Sequence, residues 1–371
     1  MKNLLITTLS VMAASATLAG AQSFTLLAPS GGVFNETRLT GVSNDGSAVI
    51  GYDNNISGSV GFVGFQWSPS AGRVDFPVES VQGNGVLPSA ISGDGSRVFG
   101  SRATWAGEVF LRENGQYTSL GGRPGYWATR VVAADTRGRA IVGHSEVSVV
   151  DYTKRAFLWR AGQGMMDLGA LHSSHDEVWA NDVSDDGGVV VGRSAGPFGG
   201  GAFVWTPQTG MVSPPVPQGF TTVDELNAVS PDGRTYAGVA FNQTAPTSVV
   251  RWRDGVPQVI GVFGGESGFL SHVTSMSDDG RVIVGWSQLR GGGEGTSIWH
   301  EALGTLDAAA YLNAQGATLP AGFVIQRCTA VSGDGNTFVG HGQFEGSADP
   351  LRYGFVATIP APGSVVVLGV L

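Results

Sequence analysis

Residues 184–194 read SDDGGVVVGRS, and the phrase returns as SNDGSAVIGY (43–52), SGDGSRVFGS (92–101), SPDGRTYAGV (230–239), SDDGRVIVGW (277–286) and SGDGNTFVGH (332–341), with a looser copy, ADTRGRAIVGH, at 134–144. Anchored on the glycine that follows Asp or Arg, the copies fall at Gly46, Gly95, Gly138, Gly187, Gly233, Gly280 and Gly335, spaced 49, 43, 49, 46, 47 and 55 residues apart. Five residues past every anchor stands another glycine: Gly51, Gly100, Gly143, Gly192, Gly238, Gly285 and Gly340. Asp precedes the anchor in six copies, and Ser stands three before it in six; the third copy has Arg137 and Asp135 instead. A Ser-x-Asp-Gly segment between short Val-, Ile- and Ala-rich runs signals a hairpin, because Asp bonds its own backbone and Gly takes the positive φ of the turn. These runs are strands A and B.

Further along most copies comes a second apolar phrase ending in Trp: FQW at Trp67, AFLW at Trp159, AFVW at Trp205, VVRW at Trp252 and SIW at Trp299. The second and seventh copies offer VFLR (109–112) and YGFV (353–356). A fourth run such as MMDLGAL (165–171) then supplies strand D. Four short strands per copy is the content of one blade, so the sequence predicts an all-β, seven-bladed β-propeller of four-stranded blades. The seventh copy meets Ile359, Pro360 and Ala361 directly after strand C, while FTLLA (24–28) precedes the first anchor without a partner. That N-terminal strand is expected to complete the last blade and close the ring, leaving only short protected edges. The recurrent Trp of strand C is expected to pack between blades.

Met1 and Lys2 precede an apolar run, Leu4 to Ala14, and a small-residue stretch ends in Ala19, Gly20 and Ala21. This reads as a secretory signal peptide cleaved before Gln22, giving a signal at 1–21, a propeller at 22–359 and a tail at 360–371. The expected location is secreted or at the cell surface. Without Lys2 the formal charge moves from -9 to -10, and no block of like charge or basic stripe occurs, which argues against a nucleic-acid partner. The apolar run Val365 to Leu371 is far short of the roughly 20 residues of a membrane span. The one cysteine, Cys328, permits no intrachain disulfide and falls at an apolar position, so a buried, inert thiol is expected. No GxSxG, phosphate loop or dinucleotide fingerprint occurs, and no cofactor is expected.

AFLWRAGQGMMDLGAL followed by NDVSDDGGVVVGRS (156–171 and 181–194) resembles the HAF-repeat extracellular proteins, whose repeat joins a His-Ala-Phe-type phrase, an LG phrase and a DG-x-VVG phrase. Here Arg155 and Gly201 replace the His. The insert LDAAAYLNAQGATLPAGF (306–323) is similar to that family's C-terminal region. The resemblance implies an exported repeat protein and no particular reaction. IPAPGSVVVLGVL (359–371) is similar to the start of a PEP-CTERM sorting tail, with Pro-Ala-Pro at 360–362 for Pro-Glu-Pro. SGDGNTF (332–338) resembles the Asp-box of sialidase-like propellers but lacks the residue between Asp and Gly.

Eight residues before the anchors, where strand A begins, stand Arg38, Leu87, Arg130, Trp179, Glu225, His272 and Arg327; the next residue is apolar in every copy. Six residues after the anchors, on the same face, stand Tyr52, Ser101, His144, Arg193, Val239, Trp286 and His341. Loops on a rigid scaffold usually carry recognition, and this end is opposite the DG turns. Arg38, Arg130, Trp179, Glu225, His272, Arg327, Tyr52, His144, Arg193, Trp286 and His341 therefore form a candidate ligand-binding ring. Guanidinium forks and aromatic faces suit an anionic or carbohydrate ligand. Arg38, Arg130 and Arg327 with Glu225 resemble the carboxylate clamp of sialidases, but no nucleophile pair accompanies them, and no catalytic residue is assigned. A single DG turn offers too few of the about six to eight oxygens calcium takes. His172 and His175, with Asp176 and Glu177, lack the further fixed ligands of a zinc site, so no metal is expected. The expected function is non-catalytic binding of polysaccharide or a protein partner outside the cell. The alternatives are a sialidase-like glycan hydrolase, marked by the three arginines and a carboxylate pair enclosing one pocket, or a structural matrix protein.

Overall fold

The computed structural model describes residues 22–31, 34–54, 62–76, 86–102, 107–147, 153–243, 245–346 and 351–360. The expected signal peptide and most of the tail lie outside these residues. Each copy of the repeat forms antiparallel strands in the order A-B-C-D. In the fourth copy they are Glu177–Val183, Val190–Gly196, Gly199–Thr206 and Gly210–Val212. Among the described residues five sheets hold four strands each, and one holds eight. The larger sheet departs from the expected separate units: strand C of the third copy, Lys154–Arg160, meets Glu177 through the parallel pairing Lys154↔Glu177. In the last copy, Ser23–Leu27 lies antiparallel to Tyr353–Thr358, beside Thr337–Phe344 and Phe323–Val331. Strand D is shorter than MMDLGAL suggests, ending in the third copy at Asp167.

The turn chemistry explains the repeat. Anchor glycines have φ between +61 and +76, and each N–H donates to the carbonyl three residues back. In the fourth copy Ser184 Oγ donates to Asp186 Oδ1 (2.9 Å) and accepts from Val189 N, while Asp186 Oδ1 accepts from Gly188 N (2.7 Å). In the third copy Asp135 does both jobs, its Oδ1 accepting from Arg139 N and Ala140 N at 2.6 and 2.7 Å. Its other oxygen is buried without a partner, and burial pushes its pKa up.

The second set of glycines obeys a different constraint. These residues sit in extended strand B, not at positive φ, so they are not there for a special backbone conformation. A Cβ on any of them would stand 1.9–2.4 Å from the carbonyl oxygen of the residue eight before the anchor. Strand A carries a bulge just beyond that carbonyl, with one extra residue at Thr40, Ser89, Val132, Asn181, Asn227, Thr274 or Thr329. Only hydrogen fits beneath the bent strand.

The apolar side chains form seven clusters among the described residues, each shared by two neighbouring copies. Val142 and Leu158 of the third copy meet Val178, Phe203 and Trp205 of the fourth; Val191 of the fourth meets Tyr236 and Trp252 of the fifth. Leu27, Val339 and Val356 meet Leu39, Val49 and Phe65 of the first copy. Stability therefore resides between copies, and the strand C tryptophans do pack there. The insert supplies a helix, Ala308–Ala314, capped by Asp307, whose Tyr311 and Leu312 pack with Ile298 and Phe338.

Candidate functional site

Strands A of all seven copies line one cavity of about 340 Å³ at the turn end. Neighbouring turns are tied around it: Asn44 N donates to Gly93 O, Gly93 N to Thr136 O, Thr136 N to Asp185 Oδ1, Asp185 N to Pro231 O, Asp278 N to Gly333 O and Asp334 N to Asn44 O, at 2.7–3.0 Å. Pro231 has no N–H, so it donates no such bond to the sixth copy. Below the turns the bulge residues reach across as well: Thr40, Asn181, Thr274 and Thr329 donate to Pro88, Leu226, Cys328 and Leu39 carbonyls at 2.7–2.9 Å. Asp182 accepts from Val183 N and Val229 N, and burial pushes its pKa up to about 7. Asp278 accepts from Asn44 Nδ2 at 2.5 Å and is pushed up to about 6 by burial and by the charge of Asp185. The ring reading missed these carboxylates. For Asp185 and Asp278 the signal was acid at the second place of Ser-Asp-Asp-Gly; Asp182, two residues before that phrase, carried none.

The residues expected in the ring lie at the other end of strand A, paired across strands A and B. Arg38 lies opposite Tyr52, Arg130 opposite His144, Trp179 opposite Arg193, Glu225 opposite Val239, His272 opposite Trp286 and Arg327 opposite His341. The side chains fall into local groups. Arg130 Nε pairs with Glu146 at 3.0 Å, and His144 Nε2 lies 3.7 Å from the same oxygen. Burial holds the His144 pKa down at about 4. Arg193 and Lys154 lie over the Trp179 ring at 5.9 and 5.2 Å, and Arg193 also faces Asp224. His272 stacks on Trp286 with centroids 4.2 Å apart, Arg327 lies 4.0 Å from the same ring, and Glu225 is 3.8 Å from His272 Nδ1. Burial would raise the Glu225 pKa, but the polar and positive neighbours His272, Asn227 and Arg193 outweigh it and hold the carboxyl low.

Between the last and first copies lies a cavity of about 610 Å³, lined by Arg38, Arg327, Arg352, His341, Glu294, Val324, Ile325 and Gln326. Arg327 grips Glu294 with both arms of its fork, at 2.9 and 2.6 Å. Glu36, 1% exposed, accepts from Arg352 Nη1 at 3.0 Å. Arg38 Nε lies 2.9 Å from the same oxygen, with its N–H turned off the hydrogen-bond line. Arg38 and Arg327 thus share a cavity, but Arg130 is not among its lining residues. The three-arginine clamp is not assembled. Glu36, Glu294 and Arg352 were missed because they lie outside the two positions compared between copies; Glu36 is one same-face step before Arg38.

The other singled-out residues have local roles. His172 Nδ1 meets Ser174 Oγ, and His175 Nδ1 meets Ser194 Oγ, both at 2.8 Å. Cys328 is fully buried, and burial pushes its thiol pKa up.

No known family model matches the sequence, and no curated protein matches it. Solved structures match in fold. Oligogalacturonate lyase from Vibrio parahaemolyticus gives a TM-score of 0.57 at 10% identity, over 91% of this chain and 97% of that one. The WD40 repeats of RRP9 give 0.52 at 16% identity, over 91% and 97%. TolB from Acinetobacter baumannii gives 0.47 at 14% identity; the match covers 70% of this chain and 62% of TolB, under two thirds of its length. The chain is an all-β protein with the fold of a β-propeller. At these identities the likeness concerns fold alone.

Proposed function

We propose that this chain is an exported, seven-bladed β-propeller that binds another protein without catalysis, using the channel end opposite the DG turns. Seven blades are supported by the turn-to-turn hydrogen bonds and by seven inter-copy clusters among the described residues. Closure by the N-terminal strand is supported by its pairing with Tyr353–Thr358. Export rests on the sequence of residues 1–21 and on the resemblance to HAF-repeat proteins; a sorting role for the tail rests on its Pro-Ala-Pro phrase. Among the described residues no helix is long and apolar enough to cross a membrane.

The observation that carries the binding reading is the contrast within strand A. At one position the backbone is held alike in all copies by a glycine beneath its carbonyl, yet its side chain is Arg, Leu, Trp, Glu or His. Architecture fixes the scaffold there and leaves the side chain free for recognition. A protein partner is favoured over a polysaccharide because the ring's tryptophans already carry other groups: Trp286 is covered by His272 and Arg327, and Trp179 by Lys154 and Arg193. A sugar ring would have to displace them to stack.

The test is binding of the full chain to immobilised peptide and glycan arrays, beside a Trp179→Ala, His272→Ala double variant of unchanged thermal stability. Saturable peptide binding that the variant loses supports the reading. Selective glycan binding, or turnover of a glycan, overturns it.

A further inference from the structure

The cavity between the last and first copies has a charge pattern that the ring as a whole lacks. Among the described residues three guanidiniums, Arg38, Arg327 and Arg352, face two carboxylates, Glu36 and Glu294, so one positive charge is left over. Glu36 lies beneath the wall, shared by two arginines. Glu294 is different: it is 37% exposed and follows three glycines, Gly291 to Gly293, at the hairpin entering strand Glu294–His300. Its carboxylate occupies the Arg327 fork as a ligand's carboxylate would.

His341 supplies the second observation. It is 7% exposed, lines the cavity, and its Nδ1 is buried with no hydrogen-bond partner among the described residues. A buried polar atom left unpaired costs about 1–3 kcal/mol, so the wall of this cavity holds an unmet hydrogen-bonding group. Burial, helped by Arg38, Arg327 and Arg352 against the opposing Glu36, holds its pKa down at about 4.

We propose that this cavity takes an acidic side chain of the partner protein, seating its carboxylate among Arg38, Arg327 and Arg352 in exchange for Glu294. This rests on the protein-binding reading above. Val324 and Ile325 on the cavity wall suit an aliphatic residue beside the acid.

The experiment is fluorescence anisotropy of the full chain with the labelled peptide Gly-Leu-Glu-Leu-Gly, its Gln counterpart, and a uronic-acid trisaccharide as competitor. The Glu peptide is expected to bind roughly tenfold tighter than the Gln peptide, as one charge-assisted hydrogen bond implies. Arg327→Gln should lower affinity by at least that factor and Glu294→Gln, at an exposed position, should raise it severalfold. Equal binding of both peptides, or an affinity untouched by Glu294→Gln, overturns the proposal. So does preference for the trisaccharide. Charge-independent peptide binding lost in the Trp179→Ala, His272→Ala variant would sink this inference and leave the proposed function standing.

Discussion

Gly192 and Gly187 are five residues apart and are irreplaceable for different reasons, which makes their alanine variants a direct test of the repeat's physics. In Gly192→Ala the new methyl would sit 2.0 Å from Trp179 O and 2.8 Å from the ring of fully buried Phe203. A carbon and a carbonyl oxygen approach to about 3.3 Å at closest, so strands A and B must part by more than about 1 Å. That opens the backbone pairing at Ala180↔Gly192 and disturbs Phe203. Two backbone hydrogen bonds worth about 1–1.5 kcal/mol each, with overpacking of about 1–3 kcal/mol, give roughly 3–6 kcal/mol. Gly187→Ala instead strains a residue at φ +65, which costs about 1–2 kcal/mol, and its methyl meets the flexible end of Arg160. With an m-value near 3 kcal/mol per M, the difference is about 1 M in urea midpoint. The assay is tryptophan fluorescence of the full chain in urea. Equal midpoints, or a larger loss in Gly187→Ala, would refute the steric account.

Asp135→Ser with Arg137→Asp restores the Ser–Asp pair of the other turns and removes the buried unpartnered oxygen, a gain of about 1–3 kcal/mol. Because the Asp135 pKa is raised in the fold, its cost appears as pH rises through that value, so the gain in urea midpoint should be larger at pH 8 than at pH 4. Asp278, raised to about 6, contributes stability below its unfolded value and loses it as pH climbs through 6. Asp278→Asn keeps an amide oxygen for Asn44 and should flatten the melting-temperature profile over that interval; the slope left near pH 7 belongs to Asp182. An unchanged profile would show that the turn-end carboxylates do not titrate as a buried group must. Trp252→Ala empties a fully buried site stacked on Tyr236 and frees the Pro215 carbonyl, a loss of about 3–5 kcal/mol in the same urea assay.

The strands, their order within a copy and the A–B register were legible because each depends on contacts within one copy. Ser184, Asp186 and Gly187 close a turn using only each other and the next few residues. Counting outward from that turn then places Trp179 opposite Arg193. The second glycine was visible but its cause was not. The carbonyl above Gly192 comes from Trp179, thirteen residues away, and it is close only because Asn181 is an extra residue in strand A. A bulge leaves no mark in a pattern read copy by copy. The Lys154↔Glu177 bridge that merges two sheets was hidden for the same reason, since it joins residues of different copies.

The site was legible in its positions and illegible in its charges. Arg38, Arg130 and Arg327 occupy the same place in three copies, and the sequence treated them as three free forks. What each can do depends on neighbours that follow no repeat: Glu146 for Arg130, Glu36 for Arg38, and Glu294, from the preceding copy, for Arg327. A fork already closed on a carboxylate gains little from a ligand carboxylate unless its own partner can leave. Glu36 is buried and cannot leave without stranding Arg352. Glu294 is half out in solvent beside three glycines, so it can. Of the three arginines that the repeat makes equivalent, Arg327 is the one whose surroundings allow exchange, and recognition at this end of the channel should depend on it more than on Arg38 or Arg130. Arg130→Gln is therefore expected to leave binding of the acidic peptide unchanged, while Arg327→Gln abolishes it. Equal losses in the two variants would return the ring to a set of equivalent positions.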